Sequence, residues 1–97
     1  MLLACSAQLI DPNGRGFGDI YDVKGLSNGL PYYLGRATAY LLYSITGGKW
    51  CLSKSLGSTT CSASFTDSAK TADLITAGLV VGSVTDTAAG VTCYGIG

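Results

Sequence analysis

Turn-forming residues cut this chain into short apolar runs, and that pattern decides most of what it can fold into. Asp11-Pro12-Asn13-Gly14-Arg15-Gly16-Phe17-Gly18 is dense in turn residues and reads as a loop. Asn28-Gly29 sits between two strand-like runs, a strong hairpin signal because both turn positions favour φ > 0. Thr46-Gly47-Gly48, residues 57–60 and Thr87-Ala88-Ala89-Gly90 interrupt the chain again. The apolar runs between them fall at 2–10, 20–26, 30–34, 38–45, 49–53, 61–65, 80–84 and 91–96. About seven short strands follow, with connections short enough for a meander, so the expected fold is all-β: a small antiparallel sandwich or barrel.

Composition agrees. The chain holds 14 Gly, 10 Ser and 10 Thr, its six acidic residues are all Asp, and Glu and His are absent. Strong helix formers are therefore scarce, while Val, Thr and Tyr favour strands. A 47% hydrophobic content with 12% charge is the opposite of a disordered chain. Ninety-seven residues make one β-rich domain, 1–97. The helical candidate is 67–77, where Thr66 or Asp67 can cap the start, Gly78 can end it, and Ala72, Ile75 and Leu79 share a face.

Along residues 38–45, Tyr40 and Leu42 share one face while Leu41, Tyr43 and Ile45 share the other, so the strand is central or covered by a neighbour. Trp50 and Leu52 point into the core, with Cys51 opposite. Pro31 removes a donor, which suits an edge or a strand start.

Net charge is zero, and Arg15, Lys24, Arg36, Lys49, Lys54 and Lys70 are scattered singly. A nucleic-acid groove needs clustered cations, so nucleic acid is not an expected partner. A neutral, sparsely charged surface has little electrostatic protection against self-association, which suggests a protein covered within an assembly. No stretch reaches the roughly 18 apolar residues that cross a membrane. Met1-Leu2-Leu3-Ala4-Cys5-Ser6 resembles a bacterial lipobox, but only four residues precede Cys5, so the match reads as accidental.

Chemistry-bearing motifs are weak. The G-x-G-x-G string at 14–18 lacks the helix start and Lys of a phosphate cradle. Asp11, Asn13, Gly16 and Asp22 loosely follow a calcium-loop spacing, yet Arg15 stands where an oxygen ligand belongs. With no His and no Glu, neither a serine nor a thiol has an imidazole base, and no enzyme, cofactor or metal site is expected. Cys5, Cys51, Cys61 and Cys93 form no C-x-x-C pair. They are either reduced, buried thiols, the reading preferred here, or two disulfides with Cys51 facing Cys61 across a hairpin and Cys5 and Cys93 tying the ends.

Tyr32, Tyr33, Tyr40, Tyr43 and Trp50 lie within 19 residues. They form a core cluster or an interaction face on which Tyr32, Tyr33 and Trp50 would be the contact residues. Met1, Leu2 and Leu3 form an apolar end suited to reach a neighbouring subunit.

The stretch Tyr21-Asp-Val-Lys-Gly25-Leu-Ser-Asn28-Gly29-Leu-Pro31-Tyr-Tyr33, then Tyr40-Leu-Leu-Tyr43, then Gly48-Lys-Trp50-Cys-Leu52 and Gly57, resembles a small β-module of tailed-bacteriophage structural proteins. The resemblance covers about 20–57 and rests on turn glycines and core aromatics. It implies a virion component made in the bacterial host cytoplasm: a capsid decoration (cement) protein or a tail or fibre part. Its expected partners are other capsid or tail subunits and further copies of itself, and no catalytic residue is carried over. The alternative is a carbohydrate- or cell-surface-binding module that stacks its ligand on Tyr32 or Trp50. A secreted domain stapled by disulfides is a third reading.

Overall fold

A computed structural model describes residues 5–94; Met1, Leu2 and Leu3, the expected apolar arm, lie outside them. Among the described residues nine strands follow one another: β1 (Ser6–Ile10), β2 (Asp19–Ser27), β3 (Leu30–Gly35), β4 (Leu41–Ile45), β5 (Lys49–Ser53), β6 (Ala63–Phe65), β7 (Leu79–Val81), β8 (Val84–Asp86) and β9 (Gly90–Tyr94). All pair antiparallel in one sheet of order β8-β7-β6-β5-β4-β3-β2-β1-β9. The fold is all-β, as the turn pattern predicts. The run expected as one strand at 80–84 is two, because Gly82 (φ 61°) turns the chain between β7 and β8.

Connectivity forces this sheet to curl. Held flat, its edge strands β8 and β9 would lie eight spacings of ~4.8 Å apart, about 38 Å. Only Thr87, Ala88 and Ala89 join them, and four extended residue steps reach about 14 Å. The sheet accordingly rolls into a half-barrel.

Inside lie Trp50, Tyr21, Tyr33, Phe65, Leu42, Leu52 and Leu79, all fully buried. Strand alternation places them as the sequence suggests: Leu42, Trp50 and Leu52 belong to this core, whereas Tyr43 and Cys51, equally buried, lie on the opposite face. That face is covered by the 54–62 loop, where the Tyr43 hydroxyl donates to the Ser58 carbonyl at 2.6 Å and lies 2.7 Å from Ser53 Oγ. The Asn28-Gly29 hairpin is present, with φ 56° and 75°. Pro31 falls beyond the short β3–β4 ladder, which pairs only Tyr33 with Leu42 and Leu34 with Leu41, so its missing N–H costs no sheet bond there.

The 67–77 segment is not a helix beyond a single 3-10 turn at Ala72–Leu74. Its apolar positions were read correctly, since Ala72, Ile75 and Leu79 are all buried. Its backbone groups, however, are taken by side chains. Asp67 accepts N–H bonds from Ala69, Thr76 and Ala77 at 2.9–3.1 Å. The Ala72 N–H donates to Tyr33 Oη at 3.0 Å, and Trp50 Nε1 donates to the Ala69 carbonyl at 3.0 Å. Side-chain bonds of this kind compete directly with an i→i−4 ladder. The segment thus lids the core through the polar ends of two buried aromatics. Gly78 is not a helix cap: a Cβ there would come within 2.9 Å of the Asp86 carbonyl oxygen.

Gly35 has a similar steric role. A Cβ at this position would sit 2.5 Å from both Asp19 Oδ2 and Thr38 Oγ1. Gly35→Ala is therefore expected to lower stability by about 1–3 kcal/mol through overpacking, measured as a lower urea midpoint. Gly90→Ala is the control, since a Cβ there meets nothing within 4 Å; it should leave the midpoint nearly unchanged.

Candidate functional site

The glycine-rich loop between β1 and β2 carries the weak G-x-G-x-G string, and the fold gives that loop a mechanical task. Asn13 Nδ2 donates to both carboxylate oxygens of Asp86, at 3.1 and 3.0 Å, and Arg15 Nε donates to Asp86 Oδ2 at 2.8 Å. Asp86 ends β8, so this clasp joins the β8 edge to the loop that follows β1 across the mouth of the half-barrel. Asp86 is itself only 5% exposed and also accepts the Ala88 N–H at 3.0 Å. Hydrogen bonds from Asn13 and then Arg15 hold its carboxyl at about 2, below the usual 3.8.

The rest of the loop is tied inward. Asp11 Oδ2 accepts the Phe17 N–H at 3.2 Å, and the buried Tyr21 hydroxyl donates to the Phe17 carbonyl at 2.7 Å. Burial pushes the Tyr21 phenol up to about 12, so it stays neutral. A strand, β2, follows the G-x-G-x-G string, which removes the helix N-terminus that a phosphate cradle uses. The loose calcium spacing also disperses. Asn13 turns to Asp86, while Asp22 accepts Arg36 Nε and Nη2 at 2.7 and 3.0 Å and Ser6 Oγ at 2.6 Å. Among the described residues, no three His, Cys, Asp or Glu side chains gather as a metal cluster.

Two further carboxylates bracket the backbone. Burial raises the Asp19 carboxyl, but the N–H groups of Thr38, Ala37 and Ile20 and the Thr38 hydroxyl outweigh it and hold it below its ordinary value. Asp67 is lowered chiefly by the Thr76 N–H. The bonds from Arg36 and then Ser6 hold Asp22 at about 2. These four carboxylates remain ionised at neutral pH, and each is engaged in holding loop or strand. A shallow groove of about 440 Å³ runs past Leu9, Asp11, Gly18 and Asp19, so of these four carboxylates Asp19 lines it.

The aromatic residues separate. Trp50 and Tyr33 are 0% exposed, their ring centroids 6.0 Å apart, so neither offers a face to a partner or a sugar. Their polar ends are committed to the 67–77 lid. Tyr32 is half-buried, its ring edge 3.1 Å from the place a Gly25 Cβ would occupy. The exposed apolar side chains are instead Leu26 (73%), Leu74 (59%), Leu56, Val84, Ile10, Val23 and Tyr94. Sequence reasoning did not single these out, because isolated Leu and Val residues carry no positional signal of exposure.

The preference for free thiols does not hold. Cys5 joins Cys93 and Cys51 joins Cys61, with Cα atoms 5.7 and 5.4 Å apart. Antiparallel pairing of β1 with β9, Ala7 opposite Cys93, brings the first pair within reach. The second pair pins the 54–62 loop over Tyr43.

Asp86 was missed altogether. Its one local signal is the following Thr87-Ala88, which suits an Asp side chain bonding two residues on. Its long-range partners, 71 and 73 residues away, leave no mark in the sequence.

Two predictions follow from this geometry. Four carboxylates with folded-state values below the ordinary one add stability that is full above about pH 4. That stability is lost as pH falls through their folded values, near 2 for Asp22 and Asp86. Thermal melts should therefore show a plateau down to about pH 4 and a steep loss below it, and Asp86→Asn should lower the plateau and flatten the acid limb. Reduction should release loops of sequence separation 88 and 10. On loop-closure entropy the bonds contribute about 4.5 and about 3 kcal/mol, so urea unfolding with a strong reductant should show a lower midpoint. The Cys51→Ser/Cys61→Ser pair should have the smaller effect of the two paired replacements.

Comparison of the chain with protein-family models, with curated proteins and with solved structures gave no match.

Proposed function

We propose that this chain is a structural component of a bacteriophage virion, a capsid decoration protein or a tail or fibre part, that works through protein–protein contacts and performs no catalysis. The observation that carries this reading is the employment of its acidic side chains. Asp19, Asp22, Asp67 and Asp86 are each held ionised by hydrogen bonds that fasten one part of the chain to another. General acid–base chemistry needs a group poised near the working pH, and these carboxylates are displaced away from it. The resemblance of residues 20–57 to a phage β-module supplies the virion context. Two cross-links and a lidded aromatic core suit a part that must keep its shape outside a cell.

Its partners are capsid or tail subunits and further copies of itself. Exposed Leu26, on β2 close to the β2–β3 turn, and Leu56, in the 54–62 loop, are apolar contacts of the kind that become buried on assembly. The test is co-sedimentation of purified chain with phage particles stripped of minor proteins. Saturable binding, weakened by Leu26→Asp, is the expected result. A chain that stays in the supernatant with capsids and tails alike would overturn the proposal.

A further inference from the structure

We propose that the Cys51–Cys61 bond is a redox latch on the 54–62 loop. Oxidised, the loop covers Tyr43; reduced, it lifts away and uncovers an apolar strip on the outer face of β4, with the sheet beneath intact. The inference goes beyond the virion reading and does not depend on it.

Tyr43 and Cys51 stand directly opposite one another on β4 and β5, and both are fully buried although they lie outside the core cluster. Of the nine residues of the loop that covers them, Ser58 and Cys61 are half-buried and the other seven are exposed. Leu56, its one large apolar side chain, is 45% exposed, so hydrophobic burial holds the loop down only weakly. What remains is the disulfide and a few polar contacts. The Tyr43 hydroxyl donates to the Ser58 carbonyl at 2.6 Å, and Ser53 Oγ donates to the Ser55 carbonyl at 2.9 Å. Such bonds are exchanged for bonds to water when a loop lifts, so each contributes little net. Segments held in this way open locally, well below the free energy of global unfolding.

The sheet is held independently of the loop. β5 pairs with β4 over five residues and with β6 over three, while Trp50 and Leu52 pack in the core on its other face. The Ser62 N–H donates to the Leu52 carbonyl at 2.8 Å and fixes where the loop rejoins the sheet. Lifting is therefore confined between Ser53 and Ser62. It uncovers Tyr43 together with half-buried Leu41 and Ile45, which share its strand face.

The two sulfurs are unequally placed. Cys51 is 0% exposed, with its Sγ 3.5 Å from Tyr43 Oη, whereas Cys61 is partly exposed and its Sγ lies beside the Thr59 carbonyl. A small thiol such as glutathione attacks the Cys61 sulfur as its thiolate. The S–S bond breaks, and Cys51 leaves as a thiolate and takes up a proton. A second glutathione then attacks the mixed disulfide, frees the Cys61 thiol and departs as glutathione disulfide, so two electrons have passed to the protein. The reverse exchange shuts the loop, and the redox state of the compartment sets its position.

Tyrosine nitration by tetranitromethane, mapped by peptide mass, reads the latch, with Tyr94 (38% exposed) as internal standard. In the oxidised wild type Tyr43 should stay unmodified while Tyr94 reacts. In Cys51→Ser/Cys61→Ser, which keeps the Cys5–Cys93 bond, Tyr43 should react at a rate comparable to Tyr94, with the strand circular-dichroism spectrum retained. Trypsin follows reversibility in the wild type. Cleavage after Lys54, ahead of Lys24 and Lys70, should be accelerated by reduced glutathione and slowed again by glutathione disulfide. A folded double variant with Tyr43 as unreactive as in wild type, or Lys54 cleavage indifferent to glutathione, would overturn the proposal. Loss of the strand spectrum in the double variant would overturn it equally, since the bond would then hold the sheet rather than the loop.

Discussion

Closure of the half-barrel depends on the Asp86 clasp. A nine-stranded antiparallel meander whose last strand returns to the first must bring its two edges together, and the three-residue link from β8 to β9 sets how near. Covalent connection alone leaves the mouth free to splay. Asn13 and Arg15 reach across it to one carboxylate that is almost wholly withdrawn from solvent. Hydrogen bonds to a charged acceptor are about twice as strong as neutral ones, and this carboxylate accepts four. The loop richest in glycine is thereby one of the better-anchored loops in the molecule. Its glycines permit the tight path, with φ of 63° at Gly14 and 96° at Gly16, and the clasp fixes that path.

A second arrangement follows from closure. A rolled sheet of this size encloses large aromatics, and buried tyrosine and tryptophan need partners for their polar ends. Tyr33 and Trp50 find them in the backbone of the 67–77 segment, and Tyr21 finds its partner in the Phe17 carbonyl. Lid, loop and core are therefore one hydrogen-bonded unit. This explains why the 67–77 segment gives up a helix. A free helix there would satisfy its own backbone and leave Tyr33 and Trp50 with unpaired polar atoms, each a loss of about 1–3 kcal/mol.

Elements fixed by local chemistry were legible from the sequence, and those fixed by distant partners were not. The Asn28-Gly29 turn needs two residues with positive φ and nothing else, so it could be read directly. Trp50 and Leu52 alternate with Cys51, and that period of two survived into the fold because β5 is flanked by β4 and β6. Buried Tyr43 was legible only as an apolar second face, since the loop that covers it is held by Cys61 and the Ser58 carbonyl. At 67–77 the spacing of Ala72, Ile75 and Leu79 gave the buried face correctly and the backbone wrongly. Apolar spacing reports what is buried, whereas the backbone followed Asp67, Tyr33 and Trp50. Pairing of β9 with β1, and with it the Cys5–Cys93 link, depends on a contact across nearly the whole chain.

The composition itself then acquires a physical reason. All six acidic residues are aspartates. Asp19 accepts the N–H of Ile20, Asp67 that of Ala69 and Asp86 that of Ala88, so three carboxylates bond one or two residues ahead of themselves before reaching further. That geometry belongs to a side chain with one methylene. Glutamate would overshoot the neighbouring N–H and lose more rotamer freedom in being fixed. An all-turn, all-strand chain of this length has many short connections to hold and few helix termini for glutamate to cap. The absence of Glu, first met as a sign of scarce helix, is equally the signature of loops bracketed by their own carboxylates.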